Sequence, residues 1–97
     1  PRTPQIYEAL RMQTTVEQIK SEIALNLGYD PLNPPAQIDD KQTAIALGVK
    51  TSTLAVWRST GRYNLPYRKV GRLVRYRLTD LAEFLERRTS DHTGEVA

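Results

Sequence analysis

The N-terminal third of the chain has the hydrophobic spacing of helices. Thr3 followed by Pro4 is a favourable helix start, because threonine caps a helix and proline fits the first helical turn. A second helix start is predicted at Thr15, and Gly28 stands where that helix would end. In this second helix, apolar side chains recur every three or four residues, so they share one face that other apolar groups must cover. The residues of this stripe are Val16, Ile19, Ile23 and Leu27.

A proline-rich stretch follows this first segment. Pro31, Pro34 and Pro35 fall within five residues, and each disfavours helix at its own position and at the residue before it. We therefore predict a linker or a strapped-down loop over residues 28–37, which divides the chain into an N-terminal segment and a larger C-terminal part.

Two short helices with a tight turn between them are predicted next. Asp39 or Asp40 can cap a helix that runs through Leu47, and Gly48 ends it because glycine tolerates the left-handed conformation of a sharp turn. The second helix spans about residues 51–60 and stops at another glycine. Helix, glycine turn and helix in this order form the skeleton of a helix-turn-helix motif.

Three side chains in these helices have spacings that suit a packed pair. Ala44 lies four residues before the glycine of the turn, where a larger side chain would push the helices apart. Leu54 and Trp57 are three residues apart on the second helix, so both can face the core. Trp57 could instead serve as a platform for stacked bases, but its spacing from Leu54 favours the core.

An alternating pattern after the second helix predicts a β-hairpin. Strands are expected at about residues 67–70 and 73–78, and Gly71 at the first position of the two-residue loop suits a type II′ turn. In the second strand, apolar side chains alternate with mostly basic ones. One face of the hairpin is therefore expected to be apolar, with Tyr76 in the core, and the other largely cationic.

The last predicted element is a closing helix. Thr79 can cap it, and it should run from Asp80 to about Arg88. Residues 90–97 are expected to form a polar tail.

The charge is distributed unevenly along the chain. The net charge of +3 divides into −3 for residues 1–40, with three basic and six acidic side chains, and +6 for residues 41–97, with eleven basic and five acidic. No acidic residue occurs between Asp40 and Asp80, an interval that contains nine basic ones. A cationic block of this length predicts a polyanion as the partner, with a merely solvated surface as the alternative.

Composition argues against several other classes of function. The chain has no cysteine and a single histidine, His92, so we expect no metal site and no histidine- or cysteine-based catalysis. The basic block contains no cluster of acid, base and nucleophile, so we expect no enzymatic activity, no cofactor and no small-molecule ligand. The apolar runs are too short for a membrane span and no leader is recognisable, which predicts a cytoplasmic, nucleoid-associated protein.

Over about residues 38–88, several short sequence runs accompany this order of predicted elements. In these runs the chain resembles the small MerR-like winged helix-turn-helix domains, which include excisionases of phages and integrative elements. Two features depart from that family: Lys50 stands where a serine cap is common, and the loop at residues 62–65 is longer than in many members. The runs are residues 44–49 (AIALGV), 53–58 (TLAVWR), 65–66 (LP), 70–72 (VGR), 74–76 (VRY) and 80–81 (DL).

The resemblance implies that the second helix enters the major groove of DNA, where only the first exposed turns reach base edges. Thr51 and Ser52 can bond bases or phosphates, or they can cap the helix instead. Ala55 or Val56 can touch a thymine methyl, and Arg58 can read guanine or grip a phosphate. The candidates from this helix are Lys50, Thr51, Ser52, Ala55 and Arg58.

The resemblance also implies that the hairpin, as a wing, reaches the flanking backbone or the minor groove. Arg68 and Lys69 point to opposite faces of their strand, so only one of them is expected to join this contact. Tyr67 can donate to a phosphate, and a packing role is equally compatible with its position. The candidates from the wing and its flank are Arg62, Tyr67, Arg68, Lys69, Arg72, Arg75 and Arg77.

We therefore predict a mostly α-helical protein with a small β-hairpin: a winged helix-turn-helix over residues 38–89, preceded by an N-terminal helical segment at residues 1–27. The expected function is sequence-specific binding of double-stranded DNA, as a transcriptional regulator or an excisionase-like factor of a bacterium or mobile element. The alternative is a protein-interaction adaptor in which the N-terminal helices are the functional part.

The apolar stripe of the N-terminal segment exposes too much surface for a free helix in water. It can fold back on its own winged domain, or it can pack against another copy of the chain. The proline-rich linker and the net −3 charge of this half favour the second arrangement. We therefore predict a homo-oligomer that associates through Val16, Ile19, Ile23 and Leu27.

Overall fold

The computed structural model of the protein describes the backbone of residues 3–95 and the side chains of residues 15–88. The described chain is mostly helical, with a small three-stranded antiparallel sheet. Its elements are α1 (Thr3–Asn26), β1 (Gln37–Asp39), α2 (Asp40–Leu47), α3 (Thr51–Thr60), a 3-10 turn (Arg62–Asn64), β2 (Arg68–Val70), β3 (Leu73–Arg77) and α4 (Leu78–Glu95).

The N-terminal segment is one continuous helix, so the predicted second start at Thr15 is wrong. Residues 11–15 contain neither proline nor glycine, and extending a formed helix costs less than ending it and nucleating another. The predicted end is confirmed. Helix α1 stops just before Gly28, and the backbone N–H of Tyr29 donates back to the carbonyl of Ala24 at 2.8 Å.

The apolar stripe of α1 is covered by the rest of the same chain. Helix α1 packs along α4, and Val16 and Ile23 are buried, with Ile23 only 6% exposed. Ile23 belongs to the central core, and Ile19 and Leu27 pack against it. The premise for self-association through these four residues was therefore wrong, because α4 offers an apolar face that the linker allows α1 to reach. Oligomerisation itself stays a prediction.

The proline-rich stretch is a strapped-down loop. The hydroxyl of Ser21 in α1 donates to the carbonyl of Pro31 at 3.0 Å. Gln42 Nε2 of α2 donates to the phenol oxygen of Tyr29 at 2.6 Å. These bonds tie the loop to the helices before and after it, and its last residue, Gln37, is already part of strand β1.

The sheet has the strand order β1-β3-β2, and both pairs are antiparallel. Strand β1 was not predicted from the sequence, because three residues between a proline pair and a helix cap are too few for a visible alternation. Ile38 of β1 lies opposite Tyr76 of β3, and both side chains are buried in the core. The opposite face of the sheet is therefore the outer one.

The paired helices α2 and α3 have the predicted bounds. Asp39 caps α2 by accepting from the backbone N–H of Gln42 at 2.7 Å, and the Gln42 side chain accepts from the Asp39 N–H in return. Gly48 ends α2 with φ at +71°, the left-handed conformation that the turn requires. Ala44 and Leu54 are both buried where the helices meet, as their spacing predicts.

The closing helix is longer than predicted at both ends. It begins at Leu78, directly after β3, so Thr79 is not its cap. No side-chain cap is needed for the first donor, because the Leu78 N–H donates to the carbonyl of Ala36 at 2.9 Å. At the other end α4 continues to Glu95, beyond the predicted end near Arg88.

Candidate nucleic-acid interface

One side of α3 is free of the core. Its exposed side chains are small or polar over the first two turns, and the only large aliphatic one among them is Val56. Leu54 holds the opposite side of the helix in the core. A helix with this distribution can be approached closely by another macromolecule. The exposed residues of α3 are Thr51, Ser52, Ala55, Val56, Ser59 and Thr60.

The start of α3 has no side-chain cap. Lys50 is the N-cap residue in an extended conformation, and its own side chain makes no capping bond. Its carbonyl accepts from the N–H groups of Thr53 and Leu54, at 3.0 and 3.2 Å. Within the described chain the hydroxyls of Thr51 and Ser52 make no cap contact, so the capping alternative for them is not supported. Both residues are exposed at the N-terminal end of the helix.

Arg58 does not point out of α3 with these residues. Its Nη1 atom donates to Oδ1 of Asp40 at 2.8 Å and to the phenol oxygen of Tyr76 at 2.7 Å. The guanidinium side chain is only 18% exposed. Both contacts use Nη1 and give Arg58 a structural role that was not predicted, while its contact with DNA stays a prediction. A sequence signal for this existed: Arg58 follows buried Leu54 by four residues and so shares its face.

The electrostatics of this contact keep Arg58 charged and Tyr76 neutral. Burial acts to lower the pKa of Arg58, but hydrogen bonds to Tyr76 and Asp40 outweigh it and the pKa is raised. Burial raises the pKa of Tyr76, and the nearby Arg58 charge offsets only part of that rise. Tyr67 completes the group, since its ring lies 5.8 Å from the Arg58 guanidinium and 6.3 Å from the Tyr76 ring. Packing against Arg58 and Tyr76 leaves Tyr67 partly exposed.

The hairpin formed by β2 and β3 turns a cationic face outward. Arg68 is the direct cross-strand partner of Arg75, and Arg77 follows two residues later on the same side of β3. Lys69 lies opposite Val74 on the other side, so Arg68 is the member of its pair that joins this face. Like charges placed directly opposite each other are destabilising unless an anion or solvent screens them. Asp39 lies on the same face opposite Arg75 in β1, but its carboxylate caps α2.

The turn of the hairpin has the predicted form. Gly71 has φ at +61°, whereas Arg72 does not have a positive φ, as a type II′ turn requires. Arg72 is exposed at the tip. Among the side chains of residues 15–88, the ion pairs found are Lys20 with Glu17 and Arg58 with Asp40, and neither involves a basic residue of the hairpin.

The remaining candidate, Arg62, belongs to a different surface. Its guanidinium lies 5.0 Å from the ring of Tyr63, a residue with the unusual φ of +67°. Tyr63 in turn packs edge-on against Trp57 at 4.7 Å between ring centroids, and Trp57 also contacts Phe84. Trp57 is therefore a packing residue, as its spacing favoured.

Two other kinds of site are not found in the part of the chain that is described. Within it, no three histidine, cysteine or acidic side chains cluster in a way that could hold a metal ion. None of its helices combines the length and apolar character that a bilayer crossing needs.

Comparisons with family models, with curated proteins and with solved structures find no match for this chain.

Proposed function

We propose that this chain binds double-stranded DNA as a winged helix-turn-helix protein, with α3 in the major groove and the hairpin as a wing on the adjacent backbone or minor groove. The observation that carries the proposal is the outer face of the hairpin, where Arg68 and Arg75 stand side by side without an acidic partner among the described side chains. Such an arrangement is stabilised when a phosphate backbone supplies the missing negative charge.

The exposed side of α3 supports the same function. Thr51 and Ser52 present hydroxyls at its N-terminal end, and the unbonded N–H groups of this end favour a phosphate. Ala55, one turn further, is small enough to let the helix approach base edges and apolar enough to touch a thymine methyl. Lys50 precedes them and adds a positive charge for the backbone.

The two contact surfaces are held at a fixed distance by the contacts of Arg58. Its bonds join α3 to the first residue of α2 and to β3 of the hairpin. A protein that reads a groove with one element and grips the backbone with another needs such a connection, because a loose wing would lose much of its binding free energy as conformational entropy.

A promoter-binding regulator and an excision factor would both use this interface, since function depends on where the bound sites lie and not on the fold. The adaptor alternative has less support, because the apolar stripe of α1 that a protein partner would need is already buried against the core.

The test is a selection of bound sequences from a pool of random duplexes, followed by protection mapping on the winning sequence. We expect a discrete site of a few base pairs with a protected backbone on one side of it. If no sequence is enriched over the starting pool, the proposal is overturned. A variant with Arg68 and Arg75 both changed to Gln is the matched negative control, since both side chains lie outside the core.

A further inference from the structure

The tip of the hairpin carries two exposed aliphatic side chains. Val70 and Leu73 are direct cross-strand partners on the two sides of the turn at Gly71 and Arg72. Val70 is 68% exposed and Leu73 is 55% exposed. Single exposed aliphatic residues are common on protein surfaces, but two in contact at a projecting tip form a continuous apolar surface that needs an explanation.

This apolar tip sits on the cationic face. Side chains two residues apart in a strand share a face, so Val70 lies on the same side as Arg68, and Leu73 on the same side as Arg75. Arg72 adds a charge in the turn itself. A partner that suits this surface has negative charge along its rims and an apolar interior between them. The minor groove of a duplex has both, with phosphates on its edges and sugars and stacked bases within.

The tip of the hairpin extends beyond the core, and its length can be compared with the depth of that groove. Tyr76 is the fully buried residue of β3 nearest the tip, and Leu73 lies three residues beyond it. At the rise of a strand this is about 10 Å along β3, of which the part up to Val74 still packs against the core. The minor groove of B-form DNA is about 7.5 Å deep.

The hairpin is too thick for an undistorted minor groove. A β-ribbon with side chains on both faces occupies about 10 Å, to judge from the spacing of stacked sheets. The minor groove is only about 6 Å wide. Entry of the tip therefore requires the groove to open, and the free energy of opening depends on the base steps involved.

We propose that Val70 and Leu73 form an apolar wedge that enters the minor groove next to the site contacted by α3. The wedge opens the groove, and pyrimidine–purine steps, which unstack most easily, are favoured at that position. These two residues are then specificity determinants that act through DNA deformability without hydrogen-bonding a base. This inference rests on the proposed function and adds the groove, the contact and the sequence preference to it.

The test compares selections from random duplexes by the wild-type chain, by Leu73→Ser and by Leu32→Ser. Leu32 is the matched control, because it is 92% exposed in the loop between α1 and β1. We expect the wild type and Leu32→Ser to enrich the same α3-dependent bases and, at a fixed offset, a pyrimidine–purine step. Leu73→Ser should keep the bases and lose the preference for that step by about tenfold.

A second measurement reports the distortion directly. A fluorescent adenine analogue placed at the enriched step should brighten on binding of the wild type, because unstacking relieves its quenching, and should stay dim with Leu73→Ser or Val70→Thr. Enrichment of the same step by Leu73→Ser, or an equal brightening with it, would overturn the wedge and leave DNA binding standing. Enrichment of no sequence by the wild type would overturn DNA binding itself.

Discussion

Arg58 of α3 donates a hydrogen bond to the phenol oxygen of Tyr76 in β3 at 2.7 Å. The same nitrogen lies 2.8 Å from the carboxylate of Asp40 at the start of α2. One guanidinium therefore connects the two paired helices and the hairpin. Arg58 belongs to the cationic block of the sequence but makes contacts within the fold. We therefore expect its loss to lower the stability of the fold more than it lowers DNA recognition.

Arg58→Ala should lower the free energy of unfolding by about 1–3 kcal/mol, because two partners of a partly buried charged group lose their hydrogen bonds. Urea denaturation measures this change. Arg68→Ala, which removes an exposed arginine from the hairpin, is the control and should alter stability by less than about 0.5 kcal/mol. A double-mutant cycle with Asp40→Ala should give a coupling of at least about 0.5 kcal/mol, and additive effects would contradict the contact.

Stability should decline at alkaline pH, in part through Tyr76. Its pKa is raised by burial above the ordinary value of 10.0, so the folded state keeps the proton after the unfolded chain begins to lose it. The contribution is fully present below pH 10.0 and is lost as the pH rises through the folded-state pKa. Unfolding followed over this range should show a shallower decline for Tyr76→Phe. An equally steep decline would mean that other groups cause it.

DNA binding should depend strongly on salt. If about six basic side chains meet phosphates, log K should fall against log salt with a slope of roughly −5. Arg75→Ala and Arg77→Ala should each reduce the magnitude of that slope by about 1. Each should weaken binding to specific and random duplexes alike. Lys20→Ala should leave the slope unchanged, because Lys20 lies on α1 beside Glu17. A wild-type slope near zero would contradict a phosphate footprint.

Sequence discrimination should depend on the start of α3. If the Ser52 hydroxyl contacts a base edge, Ser52→Ala should reduce the difference in binding free energy between the specific and the random duplex by about 1–3 kcal/mol. Ser59→Ala is the control on the same helix, since its hydroxyl already donates to the carbonyl of Val56 at 3.1 Å. Fluorescence anisotropy with the selected duplex and a scrambled one gives both ratios. Equal losses for the two variants would mean that another element reads the sequence.

Helix α1 should contribute directly to the stability of the whole chain. Ile23→Ala should cost about 2–5 kcal/mol, because Ile23 is buried in the central core. Leu25→Ala, two residues away on the opposite side of the helix and 66% exposed, should have little effect. Thermal unfolding and sedimentation of both variants check this. A change of oligomeric state in Ile23→Ala without loss of stability would instead support association through the stripe.

The paired helices and the hairpin could be predicted from the sequence because each is defined by local signals. Asp39, Gly48 and Gly71 act on the residues next to them, and the bounds that they imply agree with the structure. Strand β1 could not be predicted, since three residues become a strand only through their pairing with β3.

The placement of α1 and of Arg58 depends on contacts between distant parts of the chain. Gly28 marks the end of α1 correctly, but neither it nor the prolines after it determine whether the chain turns back onto α1. The bonds of Arg58 to Asp40 and Tyr76 could not be predicted, because they join residues that are 18 positions apart in the sequence. In the hairpin, the alternation of apolar and basic residues predicted the cationic face. The exposure of Val70 and Leu73 at the tip could be seen only in the structure.

Strand β3 passes into α4 without a loop residue between them, from Arg77 to Leu78. The directions of the hairpin and of the long helix are therefore coupled at Leu78, which is almost fully buried in the core. On the proposed function, a DNA groove that displaces the hairpin would therefore also act on α4, and through α4 on α1, which packs along it.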